Sequence, residues 1–428
     1  MKSVFRFLGL GVLAVTFTAV GASESFAQDA CDNVEAQQAV YKRFTDNFDK
    51  AIPQRKIAVE AAKEYIEKYG ACADAKAQVD YLKGYIPPTE KLIKDTQVAE
   101  DMEKLYARFN NSLQAKNWDE VYAAGKEVLA VEKDPKIQLD VAILLGSIGL
   151  DESIKNNDKF NADTVRYAQE AIQRIEGGAT SVNYGVAYKG VGINYKNAKF
   201  PDGKNNALGW LNYTIGYIKY FRDKNKKDAL PYFYKVTQYN SAPQKFPEVF
   251  TAIGQYYQDE AVKLENQRTE KLKAANNVDT DETKAIYALQ KGYADRAIDA
   301  YARAYKLFGN TPAEKTQKDA VYALIKDFYT FRNNGKADGM DAYISSVTAK
   351  PMPNPTSEVT PVVEAAPATT STNGTTSMTT PTTSVPVVNT NTQAATKPAS
   401  SANGTAAAEA KTAKTPAKKP APKKKGTR

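Results

Sequence analysis

Between residues 34 and 348 apolar side chains recur at steps of three and four, and no long stretch alternates with period two. That spacing lines up apolar groups along one side of an α-helix and fits no strand. Prolines are sparse in this region and read as boundary marks, so the sequence predicts an all-α body. Thr311-Pro312-Ala313-Glu314 combines a capping box with proline at the first helical position. Asp134-Pro135 repeats the start signal, and Asp279 with Glu282 has the same three-residue spacing. Asp279, Asp281 and Glu282 lack the glycine and ligand spacing of a calcium loop, so they read as a cap.

The flanks differ from the body. Lys2 and Arg6 precede the apolar run FLGLGVLAVTFTAV, which gives way to small and polar GASESFA. That order predicts a secretory signal peptide over residues 1–27, with the mature chain starting near Gln28. The run is shorter than the roughly 18–20 residues that span a bilayer, and no second apolar stretch follows, so no transmembrane segment is expected after signal removal. The two cysteines, Cys31 and Cys72, both follow the cut. An even count in an exported chain points to a disulfide, with two free buried thiols as the alternative. As a bond, it ties down the first helices, and reduction is expected to loosen residues 31–72 before the rest.

Beyond residue 350 the chain turns to Pro, Thr, Ser and Ala without one aromatic residue. Such a composition buries too little apolar surface to offset its ordering entropy, so residues 351–428 are expected to be a disordered tail. That tail holds nine Lys or Arg against three Glu, most of the chain's net charge of +9. The body is nearly neutral.

The body repeats itself. Small or apolar residues spaced four and then three apart occur at Ala58, Ala62, Tyr65; Val121, Gly125, Val128; Val165, Gln169, Ile172; Ala229, Phe233, Val236; Ala297, Tyr301, Ala304; and Met340, Ile344, Val347. A second pattern, an aromatic residue, an Ile-Gly pair and a tyrosine, reads Phe250, Ile253-Gly254, Tyr257, with weaker forms at Leu145-Gly146 and Ile215-Gly216. Together these resemble the two helices of the tetratricopeptide repeat family. The resemblance implies a right-handed α-solenoid of stacked antiparallel helix pairs, in which glycine seats the first helix on the second and small residues seat the second on the next pair. It implies residues 28–92 as an N-terminal helical hairpin with the disulfide and residues 93–350 as the repeat domain. Spacing between second-helix copies is irregular and longer than the family's roughly 34 residues.

The resemblance implies binding on a concave face rather than catalysis, the partner being a protein or peptide of the cell envelope. The chain has no histidine, which removes the commonest general base and most zinc sites; no catalytic residue, metal or cofactor is expected. Tyr213, Tyr217 and Tyr220 fall on one first helix at steps of four and three, and Thr251, Gln255 and Gln258 take the corresponding face of another. These six are the candidate partner-binding residues, the tyrosines serving either as core or as an aromatic-lined groove. The Lys-rich end AKTPAKKPAPKKKGTR suits anionic envelope polymer or lipid headgroups, or is inert; export argues against nucleic acid. The alternatives are an envelope hydrolase working through a carboxylate pair and a structural envelope or matrix protein.

Overall fold

The computed structural model describes residues 31–182, 184–188, 191–193 and 203–363. The expected signal peptide and the Lys-rich end lie outside these residues. Among them are twelve α-helices and one short antiparallel ladder, β1 (Val186–Tyr188) with β2 (Val191–Ile193). The all-α expectation therefore holds apart from that ladder. Most helix packing joins neighbours in the chain, whereas Met340–Ser346 packs on Asp281–Leu307, two helices back. The chain divides into two compact units, Met1–Leu145 with Gln173–Tyr184, and Gly146–Ile172 with Gly185–Arg428.

The first unit starts with α1 (Val34–Thr45), α2 (Ile52–Tyr69) and α3 (Lys76–Gln114). Three helices, rather than a hairpin, enclose the N-terminal core of Phe44, Ala58, Ala62, Tyr65, Val79 and Leu82. Phe44 is met edge-on by Tyr85 at 5.0 Å between ring centroids. Cys31 and Cys72 form a disulfide, with Cα atoms 5.5 Å apart, so the predicted pairing is present. The boundary expected at residue 92 falls inside α3, which runs unbroken for 39 residues. Pro87 and Pro88 lie within it, contrary to the reading of prolines as boundary marks. They have no N–H to give the Lys83 and Gly84 carbonyls, a loss a helix absorbs where packing holds it. Here Tyr85 supplies part of that packing, its hydroxyl donating to the Phe48 carbonyl at 2.9 Å. From Glu90 to Lys104 no residue of α3 is buried, and pairs such as Lys91–Asp95 and Lys104–Asp101 decorate the bare stretch.

Helix α3 then meets α4 (Trp118–Val131), capped by the Asn117 side chain. A Cβ on Gly125 would stand 2.9 Å from Leu145 Cδ1 and 3.0 Å from Phe109. The missing side chain is what lets these helices approach. Helices α5 (Pro135–Ile154) and α6 (Asn161–Glu176) contribute residues to both units. Helix α5 begins as expected, with Asp134 accepting from the Lys136 amide at 2.8 Å.

The second unit continues through α7 (Gly203–Tyr217), α8 (Lys226–Gln238), α9 (Pro247–Ala274), α10 (Asp281–Leu307), α11 (Pro312–Arg332) and α12 (Met340–Ser346). Its glycines act as hinge-free seats between helices. A Cβ on Gly216 would fall 2.8 Å from the Phe233 ring, and one on Gly254 would fall 2.7 Å from the Tyr301 ring. Phe233 and Tyr301 are the central members of their four-three copies, and all three members of both copies are buried. The copy at Val165, Gln169, Ile172 is out of phase by one residue. Thr164, Ala168, Ala171 and Ile175 are fully enclosed there, whereas Val165 and Gln169 are half-buried and only Ile172 of the predicted three is buried; Gly146 abuts the Ala168 backbone. Helix α11 starts with the predicted Thr311–Glu314 capping box. Helix α10 is capped by Thr280 with Thr283, one residue later than predicted. Asp279 instead accepts from Thr283 Oγ1 and from Arg268.

The expected tail starts too early. Pro351–Val363 is an extended strap laid on α10, with Met352, Pro355 and Val359 buried. Arg296 of α10 donates to the Asn354 and Glu358 carbonyls at 3.3 and 3.5 Å and to Ser357 Oγ at 3.1 Å. The Val362 amide donates to the Ala288 carbonyl at 2.8 Å. Between them Gly292 lets the Thr360 carbonyl pass where a Cβ would collide. A proline-rich chain has little backbone freedom to lose, which favours ordering once a bare helix face and a guanidinium are at hand. Replacing Arg296 with Ala is expected to speed amide exchange across residues 354–362 by about five- to tenfold, the worth of about one net hydrogen bond or slightly more. Unchanged exchange there would show that the arginine does not hold the strap.

Candidate functional site

Helices α8, α9 and α10 and the strap enclose an open cleft of about 750 Å³ in the second unit. Tyr232 of α8, Tyr256 and Tyr257 of α9 and Tyr293 of α10 line it, with Pro231 and Pro355. Lys219, Lys227, Asp228 and Glu358 lie around them. Three of the rings meet through Tyr257, which is 5.7 Å from Tyr256 and 6.2 Å from Tyr293, centroid to centroid. Pro231 sits inside α8 and has no N–H for the Lys227 carbonyl, which leaves an acceptor short of its usual helical donor beside the cleft. The Tyr232 hydroxyl accepts from Gln169 Nε2 at 2.9 Å, fixing that ring from α6.

Three of these phenols are held in the neutral form by their surroundings. Burial raises the Tyr257 pKa, with nearby Arg296 opposing the shift. Burial also raises Tyr256 and Tyr293, and the Glu260 carboxylate adds to both. Each ring therefore offers a hydroxyl donor near neutral pH. Tyr257 is 2 % exposed, and its hydroxyl is buried without a hydrogen-bond partner. An unpaired buried hydroxyl costs about 1–3 kcal/mol, and such groups draw attention to sites where a ligand completes the bonding.

The six residues singled out from the sequence do not assemble into this cleft. Tyr213 is 1 % exposed, donates to Glu248 Oε1 at 2.9 Å, and meets Trp210 and Phe246 edge-on. Burial pushes the Glu248 carboxyl upward, while its hydrogen bonds to the backbone and Tyr213 pull the other way. Tyr220 is 9 % exposed and packs on Phe233 at 5.9 Å. A π-helical turn at Ile218–Arg222 interrupts the regular spacing, so Tyr217 and Tyr220 no longer share the face that a continuous α-helix would give them. Gln258 is 5 % exposed and accepts from the Tyr301 hydroxyl at 2.7 Å. Tyr213, Tyr220 and Gln258 are thus core. Tyr217, Thr251 and Gln255 are half-buried; Thr251 donates to the Glu248 carbonyl and Gln255 to Asp259 Oδ1.

A smaller cleft of about 370 Å³ involves Lys245, Arg303, Lys306 and Lys350. Its innermost cation is already engaged: Arg303 pairs with Asp299 and donates to the Val347 and Lys350 carbonyls. No group of three metal-ligating side chains occurs among the described residues, and no described helix is long and apolar enough to cross a membrane.

Comparison with family models, curated proteins and solved structures returns no match. The geometry of the chain itself carries the functional argument. Sequence reasoning gave Tyr232, Tyr256 and Tyr293 no binding role and took Tyr257 only as a repeat position. The available signal was the tyrosine pair Tyr256-Tyr257 beside a proline-bearing Pro231-Tyr232 step; their convergence depends on how α8, α9 and α10 pack.

Proposed function

We propose that this chain is an exported scaffold that holds an extended peptide segment of a cell-envelope protein in the tyrosine cleft. The observation that carries this reading is the Tyr257 hydroxyl, buried and unpartnered in a wall of tyrosine rings. Rigid aromatic faces with hydroxyl tips supply contact area and hydrogen bonding at low entropy cost. The tetratricopeptide-like reading, with right-handed stacking of the pairs, draws support from glycines seated on the central residues of the four-three copies at Phe233 and Tyr301. Export draws support from the charged and apolar start of the sequence and from the Cys31–Cys72 bond. The Lys-rich end adds an attraction for anionic envelope polymer or lipid headgroups. Hydrolysis is the weaker reading, because Asp228 and Glu358, the carboxylates of the cleft, are both exposed, whereas a general acid needs a desolvated setting.

The test is an array of ten- to twelve-residue peptides from envelope proteins, probed with the wild-type chain and with Tyr256→Ala plus Tyr293→Ala. A central ring is worth about 2 kcal/mol, so binders should weaken by about thirtyfold or more. Tyr217→Ala plus Gln255→Ala should leave them within about twofold. Binding that survives the first pair and fails with the second would move the site to the other face. Binding indifferent to both would end the peptide-binding proposal.

A further inference from the structure

The strap is written twice in the sequence. Its segment Pro355–Val363 reads PTSEVTPVV, and PTTSVPVV follows at Pro381–Val388. Both start Pro-Thr, place Ser ahead of Val, and end Pro-Val-Val. In the first copy Pro355 and Val359 are buried and form one wall of the tyrosine cleft. The groove on α10 thus already accepts this chemistry, and the space next to it is open.

We propose that the cleft takes the Pro381–Val388 segment of a second copy of this chain, laid beside the strap of the first. This rests on the reading of the cleft as a peptide site. Three observations favour this occupant. Tyrosine and proline surfaces suit extended, proline-bearing segments, whose backbone is pre-ordered and whose carbonyls are free to accept; the Tyr257 hydroxyl needs an acceptor. The segment carries no charge, and the cleft sets two lysines against one Asp and one Glu, so a neutral chain enters without stripping water from an ion. The strap runs antiparallel to α10, from Arg296 past Gly292 to Ala288, so its end lies beyond the cleft that it walls. From Val363 to Pro381 there are 17 intervening residues, a reach of up to about 60 Å when extended, enough to meet a neighbouring body. Such a tail-to-body contact is heterologous, and it builds rings or open chains of copies rather than a closed pair.

The experiment uses the full mature chain. Sedimentation equilibrium should show average mass rising with concentration for the wild type and staying monomeric for Pro386→Gly, Val387→Ser, Val388→Ser. A fluorescein-labelled PTTSVPVV peptide should bind that variant. Adding Tyr256→Ala should weaken the peptide at least tenfold, and so should Pro231→Glu, an exposed substitution that removes a helix-interior proline and leaves the core intact. A wild type that is monomeric at every concentration overturns the proposal, even if the peptide binds, because the segment then does not come from a second copy. Peptide binding indifferent to both cleft substitutions also overturns it. If PTTSVPVV fails while envelope peptides still require Tyr256 and Tyr293, this inference falls and the peptide-binding reading stands.

Discussion

Tyr301→Ala is expected to lower the unfolding free energy of the second unit by about 3–5 kcal/mol, the range for emptying a large aromatic site in a packed core. Tyr301 is 2 % exposed. Its ring fills the space over Gly254, and its hydroxyl donates to Gln258 Oε1 at 2.7 Å. Truncation leaves a cavity between α9 and α10 and strands a buried amide oxygen, so two penalties fall on one interface. Urea unfolding followed by circular dichroism measures it; a midpoint unchanged within error would mean that the ring is not a keystone of that interface. Gly254→Ala should be unfavourable by about 1–3 kcal/mol, since the new Cβ would press on the same ring. Combined with Tyr301→Ala it should become nearly harmless, because the collision is gone. That non-additivity is the signature of two residues sharing one volume.

Reduction of Cys31–Cys72, or replacement of both cysteines by Ser, is expected to destabilise the N-terminal helices by about 4 kcal/mol on the chain-entropy account of a loop of this length. The bond spans a sequence separation of 41 residues and lies at the edge of the core around Phe44, Tyr65 and Leu82. Amides of α1 and α2 should exchange faster under reducing conditions, while those of α9 and α10 keep their rates. Equal acceleration across the whole chain, or none in α1 and α2, would contradict a local role for the bond. In a reducing compartment such a gain is lost, so the stability of these helices is tied to where the chain resides.

Much of the helical framework was legible because its signals are local. The Thr311–Glu314 box and the Asp134–Pro135 start depend on a few adjacent residues and are found where the sequence put them. The four-three spacing also survives at Ala229, Phe233, Val236 and at Ala297, Tyr301, Ala304, because one helix face must be buried whatever lies opposite. The slip at Val165 shows the limit of spacing alone: Thr164, Ala168 and Ala171 fit the same template one residue earlier, and only the approach of Gly146 decides between them.

Tertiary effects explain the larger misses. Composition assigned residues 351–363 to the tail because they hold no aromatic ring, yet order there comes from Arg296 and Gly292 on another segment. The binding-face residues were chosen on the assumption of an unbroken first helix. The π-helical turn after Tyr217 has no clear mark in the sequence, and it turns Tyr220 onto Phe233. Thus two of the three tyrosines chosen by periodicity, Tyr213 and Tyr220, became core, and it was packing that brought the cleft tyrosines together.

The bare length of α3 has a consequence for how this protein can vary. Residues 90–104 bury no side chain fully, yet they fix both the separation and the rotational phase between the turns packed on α1 and α2 and the turns packed on α4. At about 1.5 Å and 100° per residue, removing seven residues draws the two ends together by about 10 Å while nearly preserving their orientation. Removing two shifts them by only about 3 Å but swings one end to the far side. The stretch therefore works as a ruler that tolerates whole turns and punishes fractions of a turn, whatever side chains it carries.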